Sequence, residues 1–269
     1  LNLKEVALRH EGDFASFLDE TLPHYAELNA ELMEARIRYL VEEAGFFEHD
    51  FLAVEGIVSL ERFSAMYGVY GMAECVNHLM VLAGSTGTYG DSAEADAMAV
   101  QITERLAEFV DGRPLPYCEA NAGRAFLHSQ SGIDSDIGVS AGVRIPIGTE
   151  PELFSHITTV APHHTYFAAG VSDIFAIDDT VQRNPEAMVD VIRGAFAGGM
   201  RDFTFNIDDN DFVRITGYMV RKSELAKFAE AGERDGSTVF AAGSMENSHI
   251  AERKVKRVMV HERSAGTHQ

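Results

Sequence analysis

A single glycine interrupts the last strand-like stretch of this 269-residue chain. The stretch runs from Asp211 to Arg221, and its side chains alternate with the period of two that a β-strand requires. Gly217 stands on the same face as Val213 and Ile215. Glycine weakens the interior of a strand and usually marks a bulge or a close backbone approach. We therefore predict one continuous strand here, whose glycine serves either as a structural bulge or in chemistry.

Helical and strand-like patterns interleave along the chain, which favours the α/β class. Apolar spacing predicts helices over 23–43, 60–70, 93–110, 185–197 and 222–231. In the first of them, the helical spacing is that of Leu28, Leu32, Ile37, Leu40 and Val41. Alternation predicts a strand over 201–207 and one or two strands within 157–177. Residues 120–150 are rich in Gly, Ser and Asp and predict a long loop of the kind that usually carries function.

The net charge of −20 limits the classes of partner. A field of that sign repels phosphate backbones, so we do not expect non-specific binding to nucleic acid. Because no run of 18 apolar residues occurs, we predict no membrane span and expect a soluble cytoplasmic protein. The chain opens with Leu1 rather than Met, and we expect it to be the C-terminal portion of a longer protein. A basic cluster at 253–263 is either a solvated face or a docking surface for an acidic partner.

Two cysteines, Cys75 and Cys118, are the only thiols. Their number and spacing provide neither a zinc site nor a disulfide scaffold, and this is typical of a reducing compartment. We predict no metal site, since the adjacent pair His163 and His164 would diverge on a strand. A free cysteine is usually a small buried hydrophobic residue. Cys75 is therefore either part of the core or a chemical group.

The run Arg214-Ile215-Thr216-Gly217-Tyr218 resembles the Arg-Val-x-Gly-Tyr signature of glycyl radical enzymes. In that family the glycine α-carbon stores an unpaired electron, which is delocalised over the flanking amide and carbonyl. A thiyl radical on cysteine is more reactive and abstracts hydrogen from substrate C–H bonds. The resemblance implies that Gly217 stores the radical and that Cys75 receives it, because a loop-tip cysteine precedes the glycine loop in family members. Direct transfer requires contact of about 3–3.5 Å.

The resemblance extends over about residues 60–262. Residues 184–188 and 198–206, together with the Gly217 stretch, are similar to the YjjI-type branch of the family. It implies the C-terminal half of a ten-stranded, pyruvate formate-lyase-like barrel with surrounding helices. We expect a helical lead-in over 1–60, a cysteine-loop half-barrel region over 61–183, and a glycine radical region with a C-terminal tail over 184–269.

The same resemblance implies partners and a cofactor. The cofactor is the protein-based glycyl radical, with no diffusible group. A radical S-adenosylmethionine activating enzyme with an iron–sulfur cluster installs that radical, which oxygen destroys, so the enzyme works anaerobically. We expect a homodimer and a small-molecule substrate. The acidic turn Asp208-Asp209 and the basic cluster are hypothetical contacts for the activating enzyme.

The sequence differs from each characterised branch of the family. The type of reaction, lyase-like or acyltransferase-like, therefore stays open. Glu74 precedes Cys75, so the adjacent cysteine pair of pyruvate formate-lyase is missing. Asn77 stands where the dehydratases and the C–N or C–S lyases carry a glutamate. The four-cysteine zinc site of anaerobic ribonucleotide reductases is also absent from the sequence. Glu74 is either a general base or a carboxylate that points to water.

Four further side chains are candidates for supporting roles. Asn77 and His78 either contact substrate or belong to the core and helix ends. Arg144 either binds a carboxylate or phosphate of the substrate or forms a structural salt bridge, with Asp134 and Asp136 in the same loop segment. Arg214 is expected to brace the radical strand and Tyr218 to pack over it.

Two other functions compete with the radical enzyme. One is a non-catalytic, acidic interaction or scaffold protein whose glycine is structural. The other is hydrolysis by Ser129 or Ser131 with His128, although no Gly-x-Ser-x-Gly elbow supports it.

Overall fold

The computed structural model describes residues 1–130, 139–146, 148–178, 183–207, 212–214, 219–221 and 223. Helices and short strands interleave along these residues, as the α/β class requires. The α-helices are α1 (Leu3–Ala7), α2 (Phe14–Ser16), α3 (Leu22–Arg38), α4 (Phe46–His49), α5 (Phe51–Val54), α6 (Met72–Leu82), α7 (Ala93–Gly112), α8 (Leu153–Val160) and α9 (Pro185–Ala197). Tighter 3-10 turns cover Leu60–Arg62, Glu119–Asn121 and Ala161–Thr165, and wider π turns cover Phe17–Thr21 and Tyr39–Glu43.

In the part of the chain that the structure describes, six short strands form three two-stranded sheets. The strands are β1 (Met66–Val69), β2 (Phe126–Ser129), β3 (Ile174–Ile177), β4 (Thr204–Ile207), β5 (Phe212–Arg214) and β6 (Met219–Arg221). Strands β1 and β2 are parallel, with Met66 opposite Phe126. Strands β3 and β4 are parallel as well, with Ile174 opposite Thr204. Parallel strands need long crossovers, and α6 and α7 supply the first of these.

Local sequence signals set the ends of the best-defined helices. Helix α9 begins with the side chain of Asn184 accepting the Ala187 N–H at 3.4 Å, and Pro185 occupies the first turn, where no hydrogen bond is lost. Gly199, with φ of 108°, follows its end. Gly45 likewise adopts a left-handed conformation just after the helical segment that includes α3.

The main core lies between the β1–β2 sheet and helices α1, α3, α6 and α7. Tyr67 and Val69 of β1 and Leu127 of β2 point into it, whereas Met66 on the other face is exposed. A smaller cluster packs α8 and α9 against β3, around the fully buried Phe175. The β1–β2 and β3–β4 sheets therefore each have a face covered by helices, which is the arrangement that βαβ units produce.

Several predicted elements differ from the structure. The segment 60–70 holds a 3-10 turn and strand β1 rather than a helix. Within 157–177 the prediction of one or two strands is confirmed by β3, although the first part of the segment belongs to α8 and a 3-10 turn. The continuous strand predicted over 211–221 is wrong, because β5 and β6 hydrogen-bond to each other and so cannot be one strand. Gly217 falls in sequence between them, outside the described residues.

The chain divides into two compact units. The first comprises residues 1–209 and 214–218, and it contains α1 to α9 and β1 to β4. The second comprises residues 210–213 and 219–269, whose described part consists of the first two residues of β5, strand β6 and residue 223. None of the helices that the structure describes is both long and apolar enough to cross a membrane.

Candidate functional site

Cys75 lies in the first turn of α6, directly after strand β1. Gly71 caps this helix in a left-handed conformation with φ of 79°, and its carbonyl accepts the Cys75 N–H at 3.0 Å. A Cβ at Gly71 would come within 3.1 Å of Val139 and 3.2 Å of the backbone nitrogen of Lys4. The sequence resemblance implied a loop tip for this cysteine. The structure corrects that expectation, because Cys75 belongs to a regular helix.

The Cys75 thiol is completely buried in the main core. Burial raises the pKa of this thiol far above its usual range, and the nearby carboxylate of Glu74 raises the pKa further. The sulfur therefore keeps its hydrogen at any physiological pH. A protonated thiol is a poor ionic nucleophile, but it has the S–H bond that hydrogen-atom transfer requires.

Glu74 ties the start of α6 to a distant segment. Its two carboxylate oxygens accept hydrogen bonds from the Ser140 backbone N–H at 3.0 Å and from the Ser140 hydroxyl at 2.8 Å. The segment 140–142 also accepts hydrogen bonds from the start of α6. The Gly71 N–H donates to the Ser140 carbonyl at 2.8 Å, and the Met72 N–H donates to the Gly142 carbonyl at 3.3 Å. Residues 140–142 thus satisfy N–H groups that the helix start leaves without partners.

Gly142 permits this segment to lie against strand β2. Its φ of 51° is left-handed, and a Cβ there would collide with the Ser129 hydroxyl. That hydroxyl donates to the Val171 carbonyl at 3.0 Å and accepts the Val143 N–H at 3.4 Å. Ser129 is buried, and its hydroxyl forms these two hydrogen bonds. His128 occupies the preceding strand position, so its side chain points to the opposite face of β2. This pair does not form the nucleophile and base of a hydrolase. The alternative nucleophile, Ser131, lies outside the described residues.

Asn77 and His78 lie one turn further along α6. The Asn77 side-chain oxygen accepts the Tyr89 N–H at 2.8 Å, so it anchors the loop that leads to α7. His78 is half-buried on the same helix. Arg144 is almost completely buried, and its backbone N–H closes a turn on the Ala141 carbonyl at 3.0 Å.

The radical-loop residues are described in part. Arg214 is the last residue of strand β5, and the structure describes its backbone. Gly217 and Tyr218 lie outside the described residues, as do Asp208 and Asp209. The expectations for Asp134, Asp136, the helix over 222–231 and the basic cluster fall on residues outside the description as well.

The sequence did not predict a buried group of polar side chains formed by Thr103, His163 and Tyr89. The Thr103 hydroxyl donates to the Ala99 carbonyl at 3.1 Å, so it accepts from the protonated Nδ1 of His163 at 2.8 Å. Nε2 of His163 is then an acceptor, and the Tyr89 hydroxyl at 3.2 Å is the donor that faces it. The Val143 carbonyl, 2.8 Å from the same hydroxyl, is a second acceptor for that single proton. Complete burial lowers the pKa of His163 to about 3, with a smaller contribution from His164.

The other two histidines of this region have separate partners. His156 Nε2 lies 3.0 Å from a carboxylate oxygen of Asp173, and both side chains are buried. His164 Nδ1 accepts the Arg201 N–H at 3.1 Å. Among the described residues, no group of three or more His, Cys, Asp or Glu side chains converges on a metal position. The signal available in the sequence was the presence of three histidines between Leu153 and Phe167, within a mostly apolar stretch.

Comparison with known proteins assigns the chain to a family. The model of the YjjI-like glycyl radical enzymes matches residues 1–256, which include Cys75, Glu74 and the Gly217 motif. The chain belongs to this family. "Uncharacterized protein YjjI" of Escherichia coli is 45% identical over 262 residues, covering 97% of this chain and 50% of that protein. An uncharacterized protein of Haemophilus influenzae is 35% identical over 244 residues, covering 89% of this chain and 47% of that protein.

Solved structures with a similar fold are anaerobic ribonucleotide reductases. One of them is 15% identical with a TM-score of 0.67, covering 87% of this chain and 42% of that chain. Another, from Thermotoga maritima in complex with dATP and CTP, has a TM-score of 0.65 at 15% identity, covering 84% and 43% of the two chains. At this identity the similarity establishes the fold alone. The YjjI-like chain spans about half the length of the curated relatives it matches.

Proposed function

We propose that this chain stores an unpaired electron on the α-carbon of Gly217 and passes it to the sulfur of Cys75. The observation that carries the proposal is the family match over 1–256, which includes both residues. In the transfer, the hydrogen atom of the Cys75 S–H bond moves to the Gly217 α-carbon and the unpaired electron remains on sulfur. The thiyl radical then abstracts a hydrogen atom from a C–H bond of a small organic substrate, which leaves the thiol restored and the substrate as a radical.

The state of Cys75 supports this role. Because burial raises the pKa of the thiol, the sulfur holds the hydrogen atom that the glycyl radical would take. The dry surroundings also keep water and oxygen from a thiyl radical. The same burial means that a substrate can reach the sulfur only after a neighbouring segment moves. Residues 140–142, which are held to the start of α6 by hydrogen bonds, are the adjacent segment that we propose to move.

We assign Glu74 to positioning this segment rather than to proton transfer. Both of its carboxylate oxygens accept hydrogen bonds from Ser140, so neither faces an open site. Asn77 is proposed to act in the same way through Tyr89. His78, Arg144, Arg214 and Tyr218 remain proposed supporting residues of the substrate and radical sites, since side chains of these types bind polar substrates and brace loops.

The architecture we propose is one half of a ten-stranded barrel. The two parallel pairs β1–β2 and β3–β4, each with helices on one face, are the units from which such a half-barrel is built. A radical S-adenosylmethionine activating enzyme is the proposed source of the radical, in an oxygen-free cytoplasm. The reaction class is C–H abstraction followed by cleavage, elimination or rearrangement of the substrate.

The test of the stored radical is electron spin resonance of the protein at its full natural length. After anaerobic incubation with an activating enzyme and S-adenosylmethionine, we expect a doublet, because one hydrogen remains on the radical carbon. The doublet should be absent from Gly217→Ala and should vanish in air. The matched control is Gly194→Ala, at a glycine of α9 with open space around it, which should keep the signal. If activation succeeds on a known family member but leaves this protein silent, the non-catalytic scaffold is the better account.

A further inference from the structure

The loop 170–172 is held in a strained conformation by a single carboxylate. Ser172 has a left-handed φ of 57°, which residues other than glycine rarely adopt. Its backbone N–H donates to both carboxylate oxygens of Asp202, at 3.0 and 3.3 Å. A Cβ at Gly170 would collide with the same carboxylate, so the loop backbone packs directly against it. A strained backbone persists only where its surroundings fix it, and Asp202 is the group that does so here.

The start of β4 sets the position of Asp202. This residue stands two positions before Thr204, the first residue of the strand. Its neighbour Arg201 donates the backbone N–H to His164 Nδ1 at 3.1 Å and the guanidinium to the Phe167 carbonyl at 3.1 Å. The carboxylate therefore moves with the start of the strand.

Ser129 connects the loop 170–172 to the segment that borders α6. Its hydroxyl donates to the Val171 carbonyl at 3.0 Å and accepts the Val143 N–H at 3.4 Å, so one side chain joins both segments. Both valines are completely buried. The segment 140–143 is in turn hydrogen-bonded to the first turn of α6, where Cys75 lies.

The four parts joined by these hydrogen bonds form what we call the latch: Asp202, the loop 170–172, Ser129 and the segment 140–143. We propose that Asp202 is a positioning residue that keeps the latch closed over the buried thiol of Cys75. While the carboxylate holds the loop in its strained turn, the loop carbonyl holds the Ser129 hydroxyl and the segment 140–143 stays on α6. When the carboxylate is withdrawn, the turn relaxes, the carbonyl moves away and the segment is released.

The latch makes access to the thiol depend on the strand that precedes the radical motif. Gly217 follows Ile207, the last residue of β4, by ten positions. A shift of the start of β4 withdraws Asp202 and uncovers Cys75, so substrate reaches the sulfur only in one state of the strand. This consequence rests on the proposed function, whereas the latch itself is a property of the fold and is tested without a radical.

Pulsed alkylation of the protein at its full natural length tests the latch. Iodoacetamide modifies a buried thiol only during transient opening, and peptide mass spectrometry gives the rate at each cysteine separately. Asp202→Ala should increase the rate at Cys75 about tenfold, because the strained turn loses the hydrogen bonds that hold it. Cys118 is equally buried, but its carbonyl accepts hydrogen bonds from Asn121 and Gly123, and it should keep its native rate.

Two further variants separate the latch from general stability. Asp202→Asn keeps an oxygen that accepts the Ser172 N–H, so the rate at Cys75 should return to within about threefold of the native rate. Asp190→Ala, at an exposed aspartate of α9, is the matched control and should leave both cysteines unchanged. If Asp202→Ala accelerates both cysteines equally, or leaves the Cys75 rate as it is, the proposal is overturned.

Ser129→Ala tests the connection between the two segments. It should also accelerate alkylation of Cys75, since the segment 140–143 loses its link to the loop. Combined with Asp202→Ala it should give no more than the faster single variant, because the relaxed loop has already taken its carbonyl away from the hydroxyl. Rates that multiply in the double variant would show two independent effects and overturn the latch.

Ser172→Gly tests the strained turn in a variant that keeps every hydrogen bond of the latch. Glycine adopts the left-handed conformation without strain, so the closed latch is stabilised and the rate at Cys75 should fall about two- to fivefold. An unchanged or higher rate overturns the proposal, even if Asp202→Ala does not fold. Circular dichroism of each variant verifies that the chain is folded.

The outcomes for the latch and for the radical are distinguishable. A latch that responds as described in a protein without the electron spin resonance doublet refutes only the proposed function. A protein that shows the doublet, but whose Cys75 rate ignores Asp202→Ala, refutes only the latch.

Discussion

Glu74 accepts two hydrogen bonds from Ser140, a residue 66 positions later in the chain, at 3.0 Å from the backbone N–H and 2.8 Å from the hydroxyl. The carboxylate lies in the first turn of α6, where the helix dipole also favours negative charge. One turn of helix thus carries both the candidate radical cysteine and the acceptor that holds a neighbouring segment in place. Removing the Ser140 side of this contact should loosen the segment and leave both Glu74 and Cys75 in place.

The Glu74–Ser140 contact predicts a measurable coupling energy. Ser140→Ala should lower the free energy of unfolding by about 1 kcal/mol, since one hydrogen bond is lost. Glu74→Ala should cost about 2–3 kcal/mol, because two donors lose their acceptor. Urea unfolding of both variants and of the double variant gives the coupling.

The control for this double-mutant cycle is Glu94→Ala. Glu94 lies in the first turn of α7, where its charge interacts favourably with the helix dipole as that of Glu74 does in α6. Glu94→Ala should therefore lower the free energy of unfolding by about 0.5 kcal/mol. Strict additivity of Glu74→Ala and Ser140→Ala would contradict the contact.

Gly142 predicts a large effect of adding one methyl group. Gly142→Ala should lower the free energy of unfolding by about 3 kcal/mol, from the left-handed φ and from the collision with the Ser129 hydroxyl. Gly84→Ala separates these causes. Its φ is 74°, but nothing lies within 4 Å of the added carbon, so the cost should be about 1 kcal/mol. Adding Ser129→Ala to the Gly142 variant should recover part of the loss, and equal costs at the two glycines would refute the close approach.

His163 predicts a specific acid sensitivity. Its pKa is about 3 in the fold but near the ordinary histidine value of 6.5 in the unfolded chain. Between these values the unfolded chain binds the extra proton, so stability is complete above pH 6.5 and is lost as the pH falls. Near pH 5.5 the slope should approach about 1.4 kcal/mol per pH unit for this group. In His163→Gln the slope should fall by that amount, as measured by urea unfolding between pH 5 and 7.

The matched control for the acid slope is His49→Gln. The side chain of His49 is 77% exposed, so its replacement should leave the slope as it is in the native chain. If His163→Gln showed the native slope, the ring would not be buried in its neutral form.

Strong periodic signals and helix caps were enough to predict part of the fold. Helix α9 begins and ends as predicted at Pro185 and Ala197, and α7 extends two residues beyond the predicted range, to Gly112. Both have an amphipathic pattern that a single buried face explains. Helix α6 was not predicted, because residues on most of its sides are buried and its sequence therefore lacks the alternation of apolar and polar residues that marks a helix. Helix α3 was predicted from a helical spacing of apolar residues, but Leu28 and Leu32 of that spacing lie on its outer face.

The family could be predicted from single residues, whereas the contacts around the candidate site could not. The family assignment follows from the motif around Gly217 and is confirmed by the comparison over 1–256. The contacts of Glu74 with Ser140 and of Asn77 with Tyr89 could not be predicted, since they join segments distant in sequence. The buried chain from Thr103 through His163 to Tyr89 was hidden for the same reason. Only the three-dimensional packing brings these groups together.

The most direct test of the account is the exchange of the Gly217 α-hydrogen with solvent through Cys75. When the protein is first unfolded and refolded in D₂O and then activated there, the buried Cys75 thiol carries deuterium and returns it to the glycine during reversible transfer, so the electron spin resonance doublet should collapse to a narrow line. Cys75→Ala should keep the doublet in D₂O, whereas Cys118→Ala, which removes the other buried thiol, should still show the collapse. A doublet that persists in the native protein, or that collapses equally in Cys75→Ala, would contradict radical transfer between these two residues.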